Sequence, residues 1–192
     1  MRAAATLLVA CAVAWLGVES SAAVKVKTQF TKSFDFSKAR TWSWHDGAPG
    51  EVKMARTADD DPEVVRKRAE SVIMEAVAAA LPKRGLSPAA AGTAADLQVK
   101  YYVLITIGTD AQVIGQFLPA VTAWGLPPFA AATQSYTVIE QGSLVLDISA
   151  NKEVVWRGIG QAELKPGQTQ EKRAALVRAA VADILKKYPP KP

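Results

Sequence analysis

Ser143-Leu144-Val145-Leu146-Asp147-Ile148 and Glu153-Val154-Val155-Trp156-Arg157-Gly158-Ile159-Gly160-Gln161-Ala162-Glu163 flank a break at Ala150-Asn151-Lys152. Two runs rich in β-branched and aliphatic residues around so short a polar break read as a β-hairpin. Leu144, Leu146 and Ile148 share one face, and Val154 and Trp156 must lie on that side to reach the core with them. Residues opposed across a ladder project to one side, so the register sum is even and Asp147 meets Arg157 on the other face. An exposed cross-strand ion pair there contributes at most about 1 kcal/mol. A pocket carboxylate at Asp147 is the sharper reading of the same position. Trp156 belongs to the core.

The strand ahead of the hairpin has Leu97, Val99, Tyr101, Val103, Ile105 and Ile107 on one face. Further upstream, Val24-Lys25-Val26-Lys27-Thr28-Gln29-Phe30 alternates apolar and polar, and Arg40-Thr41-Trp42-Ser43-Trp44 is a second short strand. Residues 47–60 read as loop. Asp61-Pro62 opens a helix, with Asp61 as cap and Pro62 in the first turn. Val65, Ala69, Val72, Ile73, Ala76 and Ala80 form its buried stripe, and Pro82 and Gly85 end it. Ala174, Val177, Val181, Ile184 and Leu185 mark a closing helix that Pro189-Pro190 stops. The expected fold is therefore α+β: an antiparallel sheet of about five strands with two helices on one face, in the order β-β-α-β-β-β-α.

Residues 108–135 stand outside that scheme, a connection of 28 residues with a single charge, Asp110. Phe117, Leu118, Trp124, Leu126 and Phe129 are its large apolar groups, which disfavours disorder. The segment either folds back over the sheet or offers these side chains to a partner or a membrane interface.

The first 23 residues have the composition of a leader: Arg2, an apolar run over 3–18, then Glu19-Ser20-Ser21-Ala22-Ala23. This is the pattern of a secretory signal peptide cleaved at Ala22 or Ala23, which leaves 24–192 as a single domain. Leu8-Val9-Ala10-Cys11 has the form of a lipidation box, although Cys11 lies inside the apolar run rather than at its end. An uncleaved anchor needs about 20 apolar residues, more than this run has. Cys11 is the only cysteine, so a cleaved protein has neither thiol nor disulfide.

Hydrophobic residues make up 49% of the 192 and the net charge is +5, with cations dispersed as Arg66-Lys67-Arg68, Lys83-Arg84 and Lys186-Lys187. Dispersed cations without interleaved aromatics are solvated faces, and nucleic acid is not expected as a partner. His45 is the only histidine and reads as a turn residue, since no cysteine or second histidine accompanies it to hold zinc. Asp59-Asp60-Asp61 lacks the spacing of a calcium loop and complements a helix dipole instead. Gly158-Ile159-Gly160 lacks a third glycine for a dinucleotide and reads as a strand bend or a gap for a neighbouring ring. No metal, cofactor or catalytic set is expected.

The pattern resembles domain of unknown function 4136, a family of exported, often lipidated, proteins of Gram-negative bacteria. The matching stretches are Phe34-Asp35-Phe36-Ser37, Thr41-Trp42-Ser43-Trp44, Ala95-Asp96-Leu97-Gln98-Val99-Lys100-Tyr101, Gly142 to Ile148, Val154 to Gly158, and Tyr188-Pro189-Pro190. The resemblance implies no established activity and no catalytic residues. The expectation is an exported envelope protein, periplasmic or membrane-associated, acting as a non-enzymatic binding or assembly accessory through its outer sheet face and 108–135. The alternatives are a hydrolase working with carboxylates and hydroxyls, and a purely structural envelope component.

Overall fold

Asn151 and Lys152 hold φ angles of +50° and +68°, the left-handed pair that a tight two-residue hairpin turn requires. They close β6 (Gly142–Ala150) onto β7 (Glu153–Ala162) in an antiparallel pair, as the sequence indicates. The computed structural model describes residues 24–54, 61–105, 142–164 and 168–191. The other elements are β1 (Lys25–Phe30), β2 (Thr41–Trp44), β3 (Gly50–Met54), α1 (Pro62–Ala80), β4 (Ser87–Pro88), β5 (Leu97–Ile105) and α2 (Gln170–Leu185). The leader with Cys11, and the segment 108–135 with Phe117, Leu118, Trp124, Leu126 and Phe129, lie outside the described residues.

The fold is α+β, but among the described residues the sheet has seven strands and is mixed rather than antiparallel. Its order is β1-β7-β6-β5-β2-β4, with β3 also paired to β5. β2 and β3 both run parallel to β5, β2 along Leu97 to Val99 and β3 along Tyr101 to Ile105. Together they make one interrupted edge, and the break is tied down by His45 N donating to Val99 O and Tyr101 N donating to Pro49 O. The expected loop over 47–60 thus hides a strand. The parallel pairing follows from α1, which carries the chain back across the sheet between β3 and β5.

α1 starts as read: the Asp61 carboxylate accepts from Glu63 N, and Pro62 fills the first turn. A 3-10 turn (Leu81–Arg84) containing Pro82 follows, and Gly85 ends it. Ile73 and Val77 of α1 and Val181 and Ile184 of α2 pack on Leu97, Leu146, Ile148 and Trp156 of the sheet. Trp156 is fully buried, edge-on to Tyr188 at 5.5 Å. A Cβ at Gly158 would collide with Trp156 and Ile184, so this glycine is the gap for a ring that the sequence suggests.

One detail of the hairpin departs from its expected register. Ile148 faces Trp156 but Ser149 faces Val154, so Val155 is an extra residue in the β7 ladder. Such a bulge shifts the alternation by one residue. Val155, not Val154, therefore joins Trp156 in the core, and Val154 is buried on the side of Ser149.

Candidate functional site

Side-chain size falls along the helix-facing layer toward one end of the strands. Where Leu97, Ile148 and Trp156 meet Ile184 and Leu185, the core is filled with large groups. At the other end the sheet supplies Gly142, Gly160 and Ala162, and the two helices supply Ala69, Ala174 and Ala180. Leu164 and Ile184 occupy the space over Gly142 and Gly160, and the short alanine side chains of the facing helices leave the space beside them unfilled. The result is a cavity of about 350 Å³ between α1, α2 and the ends of β5, β6 and β7.

Its wall is chiefly hydrocarbon, with Val72, Val103, Ile105, Leu164, Leu176 and Val177 among the lining groups. Polar character comes from Arg68 on α1, Gln170 and Arg173 on α2, and Ser143 on β6. Arg68, Gln170 and Arg173 are exposed, at the mouth. The acids nearest on α1 are engaged elsewhere. Glu63 and Glu70 hold Arg66 at 2.8 and 3.2 Å, and Glu70 also accepts from the Tyr101 hydroxyl at 2.7 Å. Burial, and then the Glu70 carboxylate, push that hydroxyl above its ordinary value.

The second candidate is the pair on the opposite face. Asp147 and Arg157 are opposed in register, and the Arg157 Nε and Nη2 donate to the two Asp147 oxygens, each at 2.6 Å. The pair is not exposed as the sequence reading expected: Asp147 is 1% and Arg157 6% accessible. Both faces of β6 are buried here, since Val145 and Tyr102 are covered along with Leu146 and Ile148. Burial pushes the Asp147 carboxyl up from its ordinary value, and Arg157 and then Lys100 oppose that shift. Lys100 sits opposite Asp147 and bonds Glu51 at 2.7 Å, and Glu51 in turn holds Lys53 at 2.9 Å. A row of alternating charge thus crosses four strands, a structural brace in which both Asp147 oxygens are occupied by a guanidinium.

The other sequence candidates take modest places. His45 is exposed in the turn after β2, and neighbouring Asp46 accepts from Gln98. Asp61 is a helix cap, whereas Asp59 and Asp60 lie outside the described residues. Among the described residues no group of three or more His, Cys, Asp or Glu is placed to hold a metal, and no helix is long and apolar enough to cross a membrane.

Neither Arg68, which the sequence places among the dispersed surface cations, nor Arg173 stands out in the sequence as a site residue. The available signal was positional: each directly precedes a small stripe residue, Ala69 and Ala174, near the start of its helix. Side chains there border an underfilled stretch of the apolar stripe.

The family model for the domain of unknown function DUF4136 matches residues 26–190, from β1 to beyond α2. The chain belongs to the DUF4136 family. The match takes in the cavity, the buried pair and the described strands from Val26 onward. The fold agrees with a solved DUF4136 family protein from Bacteroides thetaiotaomicron, 17% identical, with a TM-score of 0.51 over 86% of this chain and 96% of that one. It also resembles a PDZ domain protein from Parabacteroides distasonis, 14% identical, with a TM-score of 0.50 over 88% of this chain and 37% of that one. At these identities the likeness is one of fold. No curated protein matches the sequence.

Proposed function

We propose that this DUF4136 protein is an exported component of the cell envelope that acts by binding rather than by catalysis, through the cavity between its two helices and the end of its sheet. One observation carries the binding role: about 350 Å³ of space walled mainly by aliphatic side chains and opening beside two arginines. That volume falls within the range of small-molecule sites, roughly 300–1,000 Å³, and such a lining holds a ligand by burial and charge. The buried arrangement of Asp147 also favours this reading over a hydrolase, because Arg157 occupies the carboxylate a hydrolase would use. Export rests on the sequence of residues 1–23.

Uptake of N-phenyl-1-naphthylamine, a neutral apolar dye that fluoresces when buried, tests the binding role. The protein is expected to take up the dye, and Ala174→Phe, which fills the cavity, is expected to exclude it while keeping its circular dichroism. Equal uptake by both proteins contradicts the proposal. Intact mass of the periplasmic fraction tests export. A mature chain beginning at Ala23 or Val24 is expected, and full-length protein retained in the cytoplasm contradicts it.

A further inference from the structure

We infer that the cavity takes the tail of a single long-chain carboxylate, with its head held by Arg68 and Arg173. The inference rests on the binding role above and names its ligand. The cavity lies at the lower end of the range for ligand sites, which suits one hydrocarbon chain better than the paired chains of a bilayer lipid. Among the described lining residues there is no carboxylate to repel an anion, and two of the polar groups are guanidinium ions.

Those two arginines differ from their neighbour. Arg66 is closed off by Glu63 and Glu70, but among the described residues neither Arg68 nor Arg173 stands in an ion pair. They are exposed where the apolar wall ends, one on each helix. A planar guanidinium fork matches a carboxylate through paired N–H donors. Apolar depth with cationic groups at the mouth is thus complementary to an amphiphile with an anionic end.

The test is displacement of bound N-phenyl-1-naphthylamine from the purified full chain by octanoate, decanoate, dodecanoate and the neutral dodecanol. Affinity for the carboxylates should rise about fourfold per added methylene until the cavity is full, the ratio set by burying one CH₂. Arg68→Gln with Arg173→Gln should weaken dodecanoate about tenfold, the loss of a charge-assisted contact, and leave dodecanol unchanged. If dodecanol matches dodecanoate and the double variant changes neither, the carboxylate inference falls while the binding role stands. If the dye never enters, both fall. The same failure results if the chain's own 108–135 segment or a second copy fills the cavity.

Discussion

Trp156 joins β7 to both α2 and the C-terminal residues, packing on Gly158, Ile184 and Tyr188. Its indole N–H is buried without a hydrogen-bond partner among the described residues, so the ring contributes by packing alone. Trp156→Ala is expected to cost roughly 3–5 kcal/mol in urea unfolding, and Trp156→Phe less than half of that, because it keeps a ring and removes an unpaired donor. The Asp147–Arg157 pair behaves differently. Removing one partner leaves a buried charge uncompensated, so Asp147→Asn or Arg157→Ala should each cost about 3–5 kcal/mol. Asp147→Leu with Arg157→Met should recover most of that loss, since apolar groups need no partner. A double variant as unstable as either single one would show that the charges themselves hold the face together.

At the scale of elements, the strand edge built from β2 and β5 is fastened by one acid. Asp96 Oδ2 accepts from Arg40 N and Thr41 N, both at 2.8 Å, and from the Thr41 hydroxyl at 2.9 Å. Those backbone donors, Arg40 first, hold its carboxyl below the ordinary 3.8. A depressed value in the folded state stabilises the fold above the unfolded value and is lost as pH falls through the folded one. Asp96→Asn should therefore lower stability at neutral pH and flatten the decline below pH 3.8, as read from urea midpoints across that range. An unchanged acid profile would assign the dependence to other carboxylates.

The hairpin and both helices were legible in sequence because their periodicity, caps and turn residues agree with one another. β3 was not, because Gly47, Pro49 and Gly50 resemble a loop. Gly50 is a close approach instead, opposite Tyr101, where a Cβ would strike the ring. The bulge at Val155 was equally hidden, since an extra residue in a run of valines alters no pattern.

The described residues form a mixed sheet with two helices on one face, and the cavity lies between both helices and three strand ends, so no single element displays it. That explains why the candidate site is not legible in the sequence: Ala69, Ile105, Gly142 and Ala174 belong to four different elements, and only the fold brings them to one wall. The buried pair escaped for a related reason. Register placed Asp147 opposite Arg157, but burial on the second face depends on the whole molecule. The most direct test of the cavity as a binding site is methyl NMR during titration with dodecanoate. Shifts should concentrate on Val65, Val72, Ile105, Leu164 and Val177, which line the cavity, and spare Leu97, Ile148 and Leu185 in the filled end of the core. Shifts centred on that filled end, or none at saturating dodecanoate, would contradict the account.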